Sequence, residues 1–350
     1  MTTPRRPLPA VFSICITVLV AFFLLSHPSP LFAAVKLLPP ERGVYHAAHP
    51  DFGLRDDLVV KGRVRAFTKL AEKEIVWAYL SFHLDKGFDF PVKQCDTLRE
   101  MGVVPLVGIM PWSTLVQGQA ESVYTLERIL KGYFDEGFRD CAAAVKALGY
   151  PIMIEFGPEC NGSWFPWSGA WNGRDDGGPE RFRDAYRRVV DIFRSVGAED
   201  VTWVFHISAD GAPREPWNAA SRYYPGDDYV DWIGASVYGR LRGNEPPRSF
   251  DEIMKHLYPG LCALSEERPI AILELGVSES RFGDKGEWIA QAFGEIHDGK
   301  YPRLKAVAWW NKIYRPDGTR SMLEIDSSPG SLAAYRSSIH GLISEAFFSD

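Results

Sequence analysis

The sequence predicts an α/β fold in which eight strand–helix units close into a (β/α)8 barrel. Short apolar segments, each followed by an amphipathic stretch, recur eight times along the chain. Several of these segments are apolar throughout, as expected of parallel strands that are buried on both faces. Eight such units within residues 40–350 fit a closed barrel better than an open doubly wound sheet. No glycine-rich phosphate-binding motif follows the first strand, which weakens the nucleotide-binding alternative.

The elements alternate in chain order. The strand candidates are short and mostly apolar, and they are residues 43–46, 75–82, 103–109, 152–156, 201–207, 230–237, 270–275 and 306–310. The helix candidates place apolar residues along one face, and they are residues 56–72, 90–101, 126–148, 179–196, 250–267, 285–296 and 331–346. The connection after the fifth strand contains several prolines and asparagines, so no long helix is expected there.

Residues 1–34 have the pattern of a secretory signal peptide. Arg5 and Arg6 precede an apolar run over residues 11–25, which is shorter than the roughly 20 residues that span a bilayer. Cleavage near Ala34 would leave one barrel domain, residues 40–350, in a secreted or periplasmic protein with no stable membrane association. Leu31 and Phe32 fit a cleavage site poorly, so an uncleaved anchor is the alternative.

Composition excludes several classes of function. The chain is 46% hydrophobic and 24% charged, which is ordinary for a globular protein. Its formal net charge of −6 argues against nucleic-acid binding. The cysteines outside the signal segment are far apart and form no C-x-x-C pair, so we expect mostly free, buried thiols; they are Cys95, Cys141, Cys160 and Cys262. We expect a monomer without a cofactor, and no close histidine cluster points to a metal.

In barrels of this type the active site is formed by residues at the carboxyl ends of the strands. Polar and aromatic residues follow every predicted strand, and they include His46, His49, His83, Asp85, Trp112, Glu155, Glu159, His206, Tyr238, Glu274, Trp309, Trp310 and Asn311. Two carboxylates in this set indicate a function together, because Glu159 follows strand four and Glu274 ends strand seven. These ends face each other across a barrel mouth, and two carboxylates flanking a bond are what glycoside hydrolysis requires.

Several residues keep a second interpretation. Glu159 alone could be a helix cap or a surface acid. Glu155 could be a third acid of the site, or an inner barrel residue paired with Arg65 or Lys61. The chain has 11 Trp, 14 Tyr and 21 Phe, and these rings could form a large core or stack on sugars. Asn161 begins a formal glycosylation sequon, which a position in the cleft would make coincidental.

The segment 159–167, which reads E-C-N-G-S-W-F-P-W, resembles the H-E-M-N-G-x-W-[FY]-P-W motif of glycoside hydrolase family 26. That family consists largely of β-mannanases, with some β-glucanases and xylanases, on a retaining (β/α)8 barrel. Weaker similarities follow in the same order, and they are residues 224–231, 272–276, 308–311 and 325–332. The resemblance extends from about Gly43 to the C-terminus.

The resemblance implies a role for each matching residue. Glu159 would be the acid/base and Glu274 the nucleophile, with Tyr238 hydrogen-bonding the nucleophile. The residues that would bind sugar are Trp164, Trp167 and Trp309, to which we add the candidates Trp310, Asn161, His46 and Trp112. Pro158 and Glu155 stand where the family usually has His and Arg, which places mannan specificity in doubt more than hydrolysis.

The sequence thus predicts a secreted, retaining endo-β-glycosidase that acts on mannan or on another β-1,4 or mixed-linkage glucan. One alternative is a glycosidase that processes an exopolysaccharide, and another is a catalytically silent carbohydrate-binding barrel. A retaining mechanism predicts carboxyl groups about 5–5.5 Å apart. It also predicts a raised pKa for Glu159 and an ionised Glu274 with a hydrogen-bond donor beside it.

Overall fold

The computed structural model describes Met1 and residues 35–53, 56–244, 246–314 and 321–349. Eight parallel strands close into a barrel with helices between them, which confirms the predicted (β/α)8 fold. The strands are β1 Leu37–Leu38, β2 Tyr45–His49, β3 Trp77–His83, β4 Val104–Met110, β5 Ile152–Phe156, β6 Val201–Ser208, β7 Trp232–Tyr238, β8 Ile270–Gly276, β9 Leu304–Trp310, β10 Ile313–Tyr314, β11 Ser321–Met322 and β12 Phe347–Phe348. The helices are α1 Lys61–Ala71, α2 Val92–Arg99, α3 Leu126–Leu130, α4 Asp135–Leu148, α5 Gly178–Val196, α6 Ala220–Tyr223, α7 Phe250–Leu264, α8 Lys285–His297 and α9 Pro329–Ile339.

The barrel consists of β2 to β9 in sequence order, and β9 pairs with β2 to close it. Each strand is buried along nearly its whole length, as the apolar sequence segments predict. After the fifth barrel strand the connection contains only short helical turns, as its composition predicts.

Several boundaries differ from the sequence prediction: α1 begins at Lys61 rather than at residue 56, and α9 ends at Ile339 rather than at residue 346. The helix expected over residues 126–148 is two helices, α3 and α4, and the break contains Gly132 with φ +81°. A glycine adopts this left-handed conformation without a steric cost, which the apolar periodicity does not reveal. The first barrel strand runs to His49 rather than ending at His46. His46 therefore lies inside the strand and not beyond its end.

Aromatic rings fill the end of the barrel opposite the carboxyl ends of the strands. Tyr45, Trp77 and Trp232 lie at or near the first residues of their strands, and their ring centroids are 6.2–6.3 Å apart. Leu37–Leu38 and Phe347–Phe348 pair at this end, where β1 and β12 form an antiparallel ladder. The indole N–H of Trp232 donates to the carbonyl of Leu37, which ties that ladder to the barrel.

A β-bulge lies in β8 directly before Glu274. Ala235 pairs with Ile272 and Ser236 pairs with Glu274, so Leu273 is an extra residue opposite β7. Bulges bend a strand and change where the next side chain points, and they are frequent beside active sites. A Cβ atom at Gly234 would overlap the side chain of Leu273, so the glycine is needed where the bulge approaches β7.

The apolar run over residues 11–25, the expected cleavage point and Cys15 lie outside the described residues. Among the residues that are described, no helix is both long and apolar enough to cross a bilayer. Cys95, Cys141, Cys160 and Cys262 are free thiols, and the first three are buried, as expected.

Candidate active site

A cleft of about 790 Å³ opens at the carboxyl ends of the barrel strands. Its wall brings together six of the candidate catalytic and sugar-binding residues, and they are Trp112, Glu159, Trp164, Tyr238, Glu274 and Trp310. The two candidate catalytic carboxylates therefore face one cavity, although they are far apart in the sequence.

Glu159 follows β5 in a tight loop. Its backbone has φ +50°, a conformation that non-glycine residues adopt rarely, and such strain is found mainly where a function fixes the side chain. One carboxylate oxygen accepts a hydrogen bond from the indole N–H of Trp164 at 2.6 Å. Trp164 therefore both lines the cleft and orients the candidate acid/base.

Glu274 lies across the cleft on β8. The hydroxyl of Tyr238 donates to a carboxylate oxygen of Glu274 at 2.5 Å, which confirms the contact expected between these two residues. A hydrogen bond to the charged form of a carboxylate favours ionisation. Tyr238 thus acts on the group that a retaining mechanism needs as a nucleophile.

Burial raises the pKa of both carboxyl groups, and the charge of one adds to the effect on the other. For Glu159, burial raises the pKa, while the positive charge of His206 and hydrogen bonds from Ser236 and Trp164 act against it. For Glu274, burial and then the charge of Glu159 raise the pKa to about 8. The raised pKa of Glu159 was expected, whereas Glu274 was expected to be simply ionised. The pair instead retains a proton at neutral pH, because burial and the charge of Glu159 both oppose the ionisation of Glu274.

A buried polar chain crosses the neighbouring barrel strands β5, β6 and β7. His206 Nδ1 is 2.9 Å from a carboxylate oxygen of Glu155, and His206 Nε2 is 2.8 Å from the hydroxyl oxygen of Ser236. Glu155 therefore pairs with His206 and not with Arg65 or Lys61. Burial alone would lower the pKa of His206, but the charge and hydrogen bond of Glu155 outweigh it and raise this pKa to about 9. The imidazole is therefore positively charged at neutral pH.

Three tryptophans form the aromatic part of the cleft wall. Besides Trp164, Trp112 lines the cleft and its indole N–H donates to His83 at 2.7 Å. Trp310 lines it too, and its ring stacks on His49 with centroids 4.2 Å apart. These rings are held by neighbouring side chains, which leaves flat apolar surfaces of the kind that stack on sugar rings.

Two expected sugar-binding residues point away from the cleft, toward the surrounding helices. Trp309 is 1% exposed, packs against Tyr335 of α9 and donates its indole N–H to the carbonyl of Leu323. His46 also contacts Tyr335, whose hydroxyl lies 2.9 Å from His46 Nε2. Successive side chains on a strand point to opposite faces, so Trp309 and His46 lie between barrel and helices. Both residues therefore belong to the core, and their prediction as sugar-binding residues was wrong.

Two more predictions require correction. Trp167 is 1% exposed, and its indole N–H donates to the carbonyl of Pro158 at 2.8 Å. The side chain of Asn161 exchanges two hydrogen bonds with the backbone of Ser208, at 2.8 and 2.9 Å. Both residues stabilise the loop that presents Glu159 instead of lining the cleft, because the compact loop turns them toward the protein interior. The buried amide of Asn161 is also unsuited to glycosylation.

Other cleft residues were not found from the sequence. Tyr79 lines the cleft, and burial, together with the charges of nearby carboxylates, raises its pKa well above the usual value. Asp56 pairs with Lys312 at one part of the wall, and Arg248 pairs with Asp210 at another. None belongs to a recognisable motif, so only the topology brings them to the site. Within the described residues, no group of His, Cys, Asp and Glu side chains is arranged to hold a metal ion.

Comparison with known proteins gives a family match over the region that contains Glu159. The family model described as glycosyl hydrolase family 26 matches residues 121–270. Endoglucanase H of Acetivibrio thermocellus is 29% identical over 281 residues, which are 79% of this chain and 29% of that protein. Mannan endo-1,4-beta-mannosidase A and B of Caldalkalibacillus mannanilyticus is 27% identical over 180 residues, covering 50% of this chain and 31% of that protein. The chain thus spans about three tenths of the length of these curated relatives.

Solved structures share the barrel. The catalytic domain of an endo-beta-1,4-mannanase from Bacillus sp. JAMB-750 superposes with a TM-score of 0.63 at 18% identity, covering 85% of this chain and 86% of that one. A beta-mannanase from Bacteroides ovatus superposes with a TM-score of 0.60 at 17% identity, covering 86% of this chain and 89% of that one. At this identity the likeness concerns the fold alone.

Proposed function

We propose that the chain is a member of glycoside hydrolase family 26, whose model matches residues 121–270, and that it is a retaining endo-β-glycosidase of a β-linked polysaccharide. The relatives named above include an endoglucanase and a mannan endo-1,4-beta-mannosidase. Both names support a polymer of mannan or glucan type as substrate. Pro158 and Glu155 depart from the family motif beside the acid/base, so a β-glucan or an exopolysaccharide is a substrate to test beside mannan.

One observation carries the proposal. Glu159 and Glu274 line the same cleft from opposite barrel strands, and each has its own hydrogen-bond donor. A catalytically silent binding barrel has no need for two buried carboxylates that repel each other. Their burial costs free energy, and catalysis is the use that explains it.

In the proposed mechanism each carboxylate has one task. Glu274, oriented by Tyr238, attacks the anomeric carbon, while Glu159 gives its proton to the departing glycosidic oxygen. The glycosyl ester on Glu274 is then hydrolysed by a water molecule, whose proton returns to Glu159. The raised pKa of the carboxyl pair supplies the proton for the first step at neutral pH.

Reducing-sugar release from a panel of polysaccharides tests the activity. We expect release from at least one of β-mannan, β-1,4-glucan, mixed-linkage β-glucan, xylan and an exopolysaccharide from the producing cell. The early products should be oligosaccharides of several lengths, as expected of internal cleavage. Binding to these polymers without release of reducing ends would support the silent barrel instead.

The retaining mechanism needs its own test. NMR of the first anomer released should show the β configuration before mutarotation. Glu274→Ala should abolish turnover. Glu159→Ala should retain the first step on aryl glycosides with good leaving groups, which need little protonation, but release the glycosyl-enzyme slowly. An α-anomer as the first product would contradict the retaining assignment.

We also propose that the protein is exported, on the evidence of the sequence pattern over residues 1–34. The intact mass of the protein recovered outside the cytoplasm should correspond to cleavage near Ala34. A mass that includes residues 1–34, with the protein in the membrane fraction, would instead support the uncleaved anchor.

A further inference from the structure

Basic side chains are concentrated in the cleft. Among the described residues that line it, five are Arg or Lys and four are Asp or Glu, and two of these four are the candidate catalytic pair. The basic residues are Arg214, Arg240, Arg242, Arg248 and Lys312. The whole chain has the opposite balance, with 39 Lys and Arg against 45 Asp and Glu. Positive charge in the cleft of an acidic protein therefore requires an explanation.

The four arginines form one sector of the barrel mouth, the arginine sector. Arg214 follows β6, and the other three follow β7. These two strands are neighbours, and they lie between β5, which precedes Glu159, and β8, which carries Glu274. The cleft tryptophans lie at or after the ends of β4, β5 and β9 instead. A sugar whose glycosidic bond lies between the two carboxyl groups therefore has the arginine sector along one edge.

Two of these arginines share one carboxylate. Arg214 and Arg248 both form a salt bridge with Asp210, and for Arg214 the nitrogen–oxygen distance is 3.1 Å. One carboxylate between two guanidinium groups leaves this group of three with a net positive charge. The side chain of Arg214 is 77% exposed, and within the described residues it donates one hydrogen bond, to Asp210. A guanidinium has five N–H donors, so Arg214 retains donors for a ligand.

Arg240 contributes a buried charge to the same sector. Its side chain is 4% exposed, and two of its nitrogens donate to the carbonyls of Ser278 and Gly283 at 2.8 and 3.1 Å. The described residues form no salt bridge with it, and the acid whose charge acts on it is Glu279. Its Nη1 has no hydrogen-bond partner in this part of the chain. A buried guanidinium without an ion pair is costly, and its charge adds to the positive potential of the cleft.

A side pocket of about 370 Å³ adjoins the arginine sector. Ser208, Arg214 and Arg248 line both the cleft and the side pocket, so the arginine pair lies where the two cavities meet. Pockets for small ligands have volumes of about 300–1,000 Å³, so this one has room for a group attached to a sugar. Its described carboxylate, Glu252, accepts from the backbone N–H of Ser249 in the cap of α7.

We propose that the arginine sector binds a carboxylate group of the substrate, and that the protein acts on an acidic β-linked polysaccharide. The carboxylate would belong to a uronic acid of the backbone or to a substituent on it. This proposal rests on the proposed glycosidase activity, because it names the class of polymer that the same cleft accepts. The planar guanidinium of Arg214 matches a carboxylate, which it can bind with two parallel hydrogen bonds. The hydroxyl groups of a neutral sugar need no such charge.

Matched pairs of polymers test the proposal. Mannan and β-glucan oxidised at C6 carry the carboxylate on the backbone sugar, and each is compared with its unoxidised parent. Carboxymethyl-β-glucan carries it on a substituent and is compared with hydroxyethyl-β-glucan. Because the net charge of the whole protein is −6, a preference for an acidic polymer must come from the local charges of the cleft.

In at least one pair we expect kcat/KM for the acidic polymer to exceed that for the neutral polymer by about tenfold in about 0.1 M salt, the effect of one charge-assisted hydrogen bond. The ratio should fall toward one in about 1 M salt, where the Debye length is about 3 Å. The pair with the larger ratio identifies whether the carboxylate belongs to the backbone or to a substituent.

Arg214→Gln should lower the acidic-to-neutral ratio at least about fivefold, because it removes the charge and the donors. The ratio is taken within each variant, so a general loss of activity cancels. Arg214→Lys keeps the charge without the planar fork and should retain a smaller, salt-dependent preference. Thermal melts of each variant show whether the barrel has folded.

Arg139→Gln is the matched control. Arg139 and Arg188 share Asp135 at 3.7 and 2.6 Å, as Arg214 and Arg248 share Asp210. The control group lies on α4 and α5, and none of its three residues lines the cleft. The control variant therefore loses the same charge from the same kind of salt bridge, and its ratio should equal that of the wild type.

A ratio at or below one in every pair at both salt concentrations would overturn the acidic substrate while leaving the glycosidase assignment intact. A wild-type ratio in Arg214→Gln would do the same. If the wild type cleaves no polymer, the proposed function fails, and calorimetric titration with a β-1,4-linked oligouronate and its neutral counterpart still decides. Binding of the acidic oligosaccharide that Arg214→Gln weakens would support the arginine sector as a carboxylate site, and equal binding of both, or of neither, would contradict it.

Discussion

At the scale of single residues, the carboxyl pair of the cleft behaves as one unit. Burial raises the pKa of both groups, and the charge of Glu159 raises the pKa of Glu274 further. Because the two groups interact, each titration step of the site belongs to the pair and not to either residue. Neighbouring groups determine which of the two carboxyl groups is ionised. Tyr238 and His206 favour the ionised form of Glu274.

Tyr238→Phe should test that balance. The variant removes the donor to Glu274, whose ionised form is the nucleophile, so the pKa of Glu274 rises and the acidic limb of kcat/KM moves to higher pH. A hydrogen bond to a charged group contributes about 1.5–3 kcal/mol, so we expect kcat to fall about 10- to 100-fold. Steady-state kinetics across pH measure both effects. An unchanged acidic limb would show that Tyr238 does not control this ionisation.

Trp309 and Trp310 are adjacent in sequence and should respond differently to truncation. Trp310→Ala removes a ring from the cleft wall, so binding of an oligosaccharide should weaken by about 1–2 kcal/mol while the fold survives. Trp309→Ala removes a ring from the core and should cost about 3–5 kcal/mol of folding stability. Calorimetric titration and chemical unfolding separate the two. If Trp309→Ala instead weakened binding at full stability, its placement in the core would be wrong.

At the scale of secondary-structure elements, the β8 bulge determines the position of Glu274, the candidate nucleophile. The extra residue Leu273 shifts the register so that Glu274 lies opposite Ser236. The bulge occupies space that only a glycine on β7 leaves free. The position of the candidate nucleophile thus depends on a residue that does not touch the cleft.

Gly234→Ala should therefore destabilise the barrel and disturb the site together. Overpacking of a full core costs about 1–3 kcal/mol, and the displaced Leu273 is adjacent to Glu274, so kcat should fall as well. Gly294→Ala is a suitable control, because a Cβ there meets no neighbouring atom. Thermal unfolding and kcat are measured for both variants. A Gly234→Ala protein with wild-type stability and rate would show that the bulge is not tightly packed.

The sequence predicted where the strands lie better than it predicted which side of a strand each side chain occupies. Continuous apolar segments located all eight barrel strands, and the carboxylates at two strand ends were found because parallel strands end on one side. The face of each side chain depends on register, and a one-residue shift reverses it. This is why Trp309 and His46 were misplaced. The partner of Glu155 could not be predicted, since His206 lies 51 positions away and meets it only when the barrel closes.

At the scale of the whole molecule, the raised pKa values predict how stability depends on pH. Folding raises the pKa of Glu274 from 4.5 to about 8 and that of His206 from 6.5 to about 9. The folded state therefore binds more protons than the unfolded state between these values. The stabilisation is present at low pH and is lost as pH rises through about 8 to 9.

We accordingly expect the melting temperature to fall by several degrees between pH 6 and pH 9. Glu274→Gln, which cannot ionise, should flatten this decline, whereas Glu287→Gln on the outer helix α8 should not. Differential scanning calorimetry over this range measures both. A melting temperature that rises with pH in the wild type would contradict the raised pKa values.

The pairing of β1 with β12 also determines on which side of the barrel a tag or a solid support can be attached. The β1–β12 ladder lies beside the first residues of the barrel strands, where Leu37 accepts from Trp232, whereas the cleft opens at the strands' carboxyl ends. A purification tag, a solid support or a fused partner joined directly before β1 or after β12 therefore lies on the far side from the mouth. Immobilised copies would present their clefts to the surrounding liquid, and long polymer chains could thread through them without meeting the support.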